Sequence, residues 1–330
     1  MSIEPAHRRT SRRQLLGAST AAVAAAALTG DAALTGDAAV AATPEDTRWR
    51  GAPGTSGVTL RWLGNHAWDI SFGPTTILID PWLTRFPTGA YHGGARPDTP
   101  LRVDQALIDR HVSRADLILV SHAHFDHVTD VPYIATRTQA TVLGTESHHN
   151  LLRALGAPDA QLSPVRGGEY LQFDGYTVQV FRSLHSVLGP RKQTPFPGTR
   201  PGPGPLPTPS TVKDLVEGET LIYQITIGER FRIVAISTAN FIQDELTGLR
   251  PDLVLLPGGG TTVHDYLPRV MRTLDNPPYV LPTHWDDFDV ELEKPAVDPG
   301  PFLPGFRDAV AALSPRTRFV ILDHLQTFTP

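Results

Sequence analysis

The sequence has no cysteine among its 330 residues. That absence excludes disulfides, thiolate metal sites and anchoring through a lipidated N-terminal Cys, so any metal has to rest on His, Asp or Glu. A surplus of positive charge is lacking too. The 29 Lys and Arg stand against 34 Asp and Glu, leaving a formal net charge of −5, and the basic face that nucleic-acid binding needs is not expected. Long apolar runs are also missing. The stretch 18–28 is Ala-rich and short, and Asp31 and Asp37 break up the residues after it, which argues against a stable membrane anchor. The hydrophobic fraction is an ordinary 40%, enough for the core of one large domain or two small ones.

The first forty residues have a character of their own. Arg8, Arg9, Arg12 and Arg13 precede the Ala-rich run, and small residues close it as Ala39-Val40-Ala41-Ala42. That is the charged, apolar, small-residue order of a secretory signal. Ser11-Arg12-Arg13-Gln14-Leu15-Leu16 resembles a twin-arginine export signal. Leu-Thr-Gly-Asp-Ala-Ala occurs at both 28–33 and 34–39, too short a unit for a structural repeat. The chain therefore reads as a signal peptide at 1–41, a linker at 42–57 and one domain at 58–330. The twin-arginine export machinery carries proteins already folded. The resemblance thus implies a periplasmic or extracellular protein that takes up its metal before crossing and needs no disulfide. Losing four Arg and three acidic residues with the signal leaves a mature charge of about −6.

Short β-branched runs bounded by Gly or Pro read as strands at 58–63, 76–79, 116–120 and 141–144. Further strands fall at 170–173 and 177–181 across the Asp174-Gly175 turn, then at 221–227, 231–236, 253–256, 279–281 and 318–321. Helical spacing marks 101–111, 146–155, 266–274 and 306–313. Asp116-Leu117-Ile118-Leu119-Val120 is apolar almost throughout, as in a strand buried on both faces. Antiparallel pairs mixed with strand–helix units fit an α/β protein of αββα layers: two mixed β-sheets packed face to face and flanked by helices. Residues 189–210, including Pro201-Gly202-Pro203-Gly204-Pro205, show no periodicity. They read as an inserted loop, partly extended, next to His185 and so a candidate border of the active site.

Chemistry concentrates in Ser121-His122-Ala123-His124-Phe125-Asp126-His127. In an extended segment His122 and His124 share one face, while Asp126 and His127 come where the chain turns toward a helix and aim at a second position. Four such groups packed this tightly destabilise the fold unless something satisfies them, and imidazole nitrogen with carboxylate oxygen suits Zn²⁺. This His-X-His-X-Asp-His run resembles the signature of the metallo-β-lactamase superfamily. Thr76 to Asp80, then Pro81-Trp82, resembles its early strand ending in Asp. His185, in Arg182-Ser183-Leu184-His185-Ser186, and His284, in Pro282-Thr283-His284-Trp285-Asp286, stand where the superfamily places its remaining metal-binding His. With Gly64-Asn65-His66, the latter stretch is similar to the branch of ascorbate-phosphate lactonase-like and N-acylphosphatidylethanolamine phospholipase-like proteins.

The resemblance implies the metallo-β-lactamase fold, with His122, His124 and His185 around one metal and Asp126, His127 and His284 around a second. There is one departure. The Asp that bridges both metals in the superfamily is missing from Ile236-Ser237-Thr238-Ala239-Asn240-Phe241, where Ser237, Thr238 or Asn240 takes its place and Asp244 is wrongly spaced. A neutral side chain there weakens the second metal or changes the preferred ion: one or two Zn²⁺, with Mn²⁺ or Fe as alternatives.

The expected activity is hydrolysis of an ester, lactone or phosphodiester in a small-molecule or lipid-like substrate by a metal-activated water. Asp126 orients that water. His66, His264 and Asp286, with His92, are the candidates for protonating the leaving group; His148 and His149 lie in an expected helix and are left out. Trp62, Trp68, Trp82 and Trp285 are candidates for an apolar pocket, although aromatics at strand ends more often serve the core. The alternative function is a non-catalytic binding protein of the same fold that has lost the bridge.

Overall fold

The computed structural model describes residues 57–202, 207–228, 231–258 and 263–330. The export segment read at 1–41, and all of the linker but Gly57, lie outside the described residues. The first half runs β1 (Thr59–Trp62), β2 (Trp68–Phe72), β3 (Thr75–Ile79), α1 (Gln105–His111), β4 (Leu117–Leu119), α2 (Phe125–Val128), α3 (Val131–Thr138), β5 (Thr141–Gly144), α4 (Glu146–Ala154) and β6 (Leu162–Pro164). The second half runs β7 (Tyr170–Phe173), β8 (Tyr176–Ser183), β9 (Thr220–Ile227), β10 (Phe231–Ala235), α5 (Gln243–Leu246), β11 (Leu253–Pro257), α6 (Tyr266–Thr273), β12 (Tyr279–Thr283), α7 (Leu303–Leu313), β13 (Arg318–Phe319) and β14 (Thr327–Phe328).

Two seven-stranded mixed sheets result, in the orders β14-β1-β2-β3-β4-β5-β6 and β13-β12-β11-β10-β9-β8-β7. The period of two along each strand decides the layers. Ile77 and Ile79 of β3, and Leu117 and Leu119 of β4, enter a core shared with Val178, Tyr223, Ile225, Leu253 and Leu255 of the second sheet. Leu78 and Ile118, one residue out of phase, pack instead against Ile108, Val131, Ile134 and Leu151 of the helices covering the first sheet. Val254 and Leu256 do the same against Val270, Met271, Phe306 and Val310 on the second. The order is helices, sheet, sheet, helices, the metallo-β-lactamase fold. Trp62, Trp68, Trp82 and Trp285 are all buried within these clusters and serve the core, not a substrate pocket.

Several elements differ from the sequence expectation. β2, β6, β14, α3 and α5 have no counterpart in it. The helix expected from 101 starts at Gln105, because the Asp104 carboxylate accepts from Leu107 N at 2.9 Å and caps it. The helix expected from 306 starts at Leu303, with Pro in its first turn. The insertion at 189–210 is tied down where it is described. Leu188 and Gln193 form a bridge, Arg200 N donates to Ser147 Oγ at 3.0 Å, and Asn150 Nδ2 donates to Arg200 O at 2.6 Å. Glu217 N and Gly218 N donate to the carbonyls of Phe196 and Gly198 at 2.9 Å each.

Candidate metal centre

The parallel strands β3 and β4 end side by side, and the groups beyond strand ends face a common crevice. Asp80, next after β3, has φ +40 and points its carboxylate at the chain leaving β4: Oδ1 accepts from Ser121 N at 2.7 Å, and Oδ2 accepts from Ser121 Oγ. The backbone is thereby fixed just ahead of His122. His124 caps the short helix α2, which carries Asp126 and His127 in its single turn. His185 follows β8 and His284 follows β12, the latter at φ +56 with its N–H donating to Asn65 O at 2.8 Å.

These six side chains converge in two adjoining groups. The ring centroids of His122, His124 and His185 form a triangle of 4.7 Å on each side. Asp126 Oδ2 lies 3.3 Å from both His127 Nε2 and His284 Nε2, and the His122 and His127 rings are 3.8 Å apart. In each group the ligand atoms fall within 4.8 Å of one another. His124 Nε2 is buried without a hydrogen-bond partner, a costly state unless a cation takes up its lone pair. The donor set fits a metal ion on that ground.

The outer nitrogens are committed elsewhere, as metal-binding His residues require. His185 Nδ1 donates to the Ser186 carbonyl at 2.8 Å, which leaves its Nε2 with the lone pair. His127 Nδ1 donates to Asp80 Oδ2 at 2.8 Å. His122 Nδ1 lies 3.1 Å from Ser121 Oγ, and the carbonyls of Phe196 and Pro195, from the insertion, reach the His124 imidazole. Burial holds His122 well below its usual pKa, His124 at about 4 and His185 at about 3, so all three are neutral ligands at pH 7. His127 differs. Burial lowers it, but the Asp126 and Asp80 carboxylates prevail and push it up to about 9. Burial raises Asp126, but His127 and His284 hold it well below the carboxylate range.

No carboxylate stands at the bridging position among the described residues. Ser237 Oγ is 3.5 Å from His122 Nδ1. Thr238 Oγ1 donates to Leu184 O at 3.0 Å and Asn240 Nδ2 to His185 O at 3.1 Å. The segment holds the backbone around His185 and adds no charged ligand.

The candidate proton donors have very different surroundings. Thr283 Oγ1 spends its proton on Asn65 O at 2.8 Å, so His66 Nδ1, 3.2 Å away, must donate to it. Burial, with His127 and His284, keeps His66 well below its usual pKa; it is neutral, and its buried Nε2 offers a lone pair, not a proton. Burial raises Asp286, but Arg85, His324 and the Asn65 N–H prevail and keep it ionised. It accepts from all three at 2.8–3.1 Å and has no proton to give. His92 pairs with Asp287 at 2.8 Å. His264 is exposed and shares no hydrogen bond or ion pair with the cluster among the described residues. His148 is a helix-cap residue: its Nδ1 accepts from Thr145 N and its Nε2 donates to Glu219 O.

Asn65, quoted above only as part of Gly64-Asn65-His66, has a structural part that the sequence does not assign to it. At φ +48 it donates from Nδ2 to Asp126 O at 2.6 Å and Oδ2 at 3.2 Å, from its N–H to Asp286, and accepts from His284 N. It joins Asp126 to His284, two residues far apart in the sequence.

Residues 59–284 match the sequence model of a family described as the "Beta-lactamase superfamily domain". Among curated relatives, a UPF0173 metal-dependent hydrolase of Cupriavidus taiwanensis is 33% identical over 247 residues, covering 71% of this chain and 77% of that protein. One from Polynucleobacter asymbioticus is 29% identical over 244 residues, with the same coverage. Among solved structures, Igni18, a metallo hydrolase of Ignicoccus hospitalis, is similar with a TM-score of 0.54 at 18% identity, covering 82% of this chain and 97% of that one. The chain belongs to the metallo-β-lactamase superfamily and, within it, to the UPF0173 metal-dependent hydrolases.

Proposed function

We propose that this protein is an exported hydrolase that uses one or two zinc ions to cleave an ester, lactone or phosphodiester bond in a small-molecule or lipid-like substrate. The observation that carries the reading is the pair of three-residue groups whose ligand atoms lie within 4.8 Å, with a buried, unpartnered nitrogen on His124. His122, His124 and His185 would hold one ion; Asp126, His127 and His284 would hold the other. A metal there supplies a water acidified toward neutrality and a Lewis acid for a substrate oxygen. Around it, Asp80 and Ser186 fix ring orientations, and Asn65 holds the Asp126 carboxylate in place. The Pro-Thr-His-Trp-Asp ending resembles the phospholipase-like branch, which favours a phosphodiester within this set.

The test is elemental analysis of purified protein, with aryl ester, lactone and phosphodiester substrates assayed on the same sample. Zinc with turnover, and loss of both in the His122→Ala/His124→Ala double variant, is the expected result. Full metal content and activity in that variant would overturn the site. The absent bridging carboxylate specifically favours a second reading, a binding protein of the same fold. Zinc uptake with no turnover on any substrate class would select it. For export, a reporter fused behind residues 1–41 should leave the cytoplasm, and Arg12→Lys/Arg13→Lys should retain it.

A further inference from the structure

A leaving oxygen departing from this cluster needs a proton, and neither His66, whose Nε2 carries a lone pair, nor the ionised Asp286 has one to give. We propose that Tyr91 is the missing donor: its hydroxyl hydrogen-bonds the departing oxygen and protonates it. The inference rests on the hydrolytic reading above and adds to it a residue outside the ligand set.

The placement follows from aromatic packing. The Tyr91 ring meets Phe288 edge-on, with centroids 5.1 Å apart at 76°, and Phe288 meets the ligand His284 at 5.2 Å. Tyr91 is therefore two ring contacts from the metal centre, and it is 40% exposed. The residues around it are fastened to the segment that carries Phe288. Asp289 accepts from Thr88 N, Thr88 Oγ1 and Gly89 N at 2.7–2.9 Å, and His92 pairs with Asp287 at 2.8 Å. The loop before and after Tyr91 is thus clamped to residues 287–289, just beyond His284.

The hydroxyl itself has no hydrogen-bond partner among the described residues. Its charged neighbours are Asp286, Asp126 and Asp287, opposed by Arg85. Burial and these carboxylates raise its pKa above the ordinary phenol value, so the group keeps its proton and presents a donor. The Asp126 carboxylate, one of the cluster's own groups, is among these charges.

The chemistry balances without a further reactant. As the oxygen of water bonds to the acyl carbon or phosphorus, the bond to the leaving oxygen breaks and its electron pair stays on that oxygen. The Tyr91 O–H proton moves to it. The tyrosinate then recovers a proton through solvent, equal to the one the attacking water gives up.

The experiment uses the zinc-loaded full chain and Tyr91→Phe, which keeps the ring on Phe288 and removes only the hydroxyl. Aryl and alkyl esters and phosphodiesters with leaving groups of graded acidity are compared, and inorganic phosphate binding is followed by calorimetry. A general acid matters most when the leaving group is poor. The variant should lose about 100-fold in kcat/KM on alkyl leaving groups and no more than about 3-fold on nitrophenol. It should bind phosphate about 10-fold more weakly, with zinc content and Tm unchanged. An equal loss across the series, or unaltered phosphate affinity, would overturn the assignment. If wild type binds phosphate but turns over nothing, the hydrolase reading fails and Tyr91 is judged as an anion donor on the phosphate arm alone. Neither binding nor turnover by wild type would overturn both.

Discussion

At the scale of single residues, the centre depends as much on what lies behind the ligands as on the ligands. Asp80 aims His127 and fixes Ser121. Asp80→Asn should weaken zinc at the Asp126–His127–His284 group about 10- to 100-fold, read by chelator competition, with a smaller effect on the His122 group. His127 also carries a pH signature. In the metal-free protein its pKa is raised to about 9, so the stability it contributes is complete below about 6.5 and is lost as pH rises through about 9. Urea titrations of metal-free protein between pH 6 and 10 should show that decline. Zinc-saturated protein should not share it, because the metal replaces the proton. Zinc uptake should release a proton at pH 7, measurable as a buffer-dependent binding enthalpy.

Elements fix the same site through geometry that spacing alone does not reveal. Gly64, just after β1, has φ +80, and a Cβ there would overlap the buried guanidinium of Arg85. Gly64→Ala should destabilise the fold by about 2 kcal/mol or more, visible as a lowered Tm. The insertion is the other case. Replacing residues 194–202 by a short Gly/Ser linker should leave the far-UV spectrum intact while weakening zinc at the His122–His124–His185 group about 10-fold, because the Phe196 and Pro195 carbonyls no longer hold His124.

Contrasts of this kind explain what is legible in the sequence. His122 to His127 can be read because four ligands share six consecutive residues. His185 and His284 are recoverable only by resemblance. Asn65, Arg85 and His324 are opaque, since their partners lie tens to hundreds of residues away and each alone looks like an ordinary polar side chain. Among the elements, β4, β5 and β11 announce themselves as apolar runs. β6 is hidden by its Pro164, tolerated at the edge of a sheet. β14 has only two residues, and β2 opens on Trp68-Asp69 directly behind the Gly64-Asn65-His66 motif, where chemistry masks the alternation of a strand.

The described domain is built on two seven-stranded sheets, and the candidate ligands are divided between them. His122, His124, Asp126 and His127 belong to the first half; His185 and His284 follow strands of the second. Removing metal should therefore lower global stability, not merely loosen a loop. At free zinc 1,000-fold above Kd the gain on binding is about 4 kcal/mol by mass action, and a chelator should lower Tm cooperatively in a single transition.

The division also sets an order of events during synthesis. A nascent chain that ends just after β6 already holds four of the six ligands, but each of the two metal groups still lacks its last His. β14 pairs with β1, so the first sheet also takes a strand from the far end of the described residues. Each three-residue group is complete only once a strand of the second sheet has docked, and a metal bound there would report that both sheets are in place.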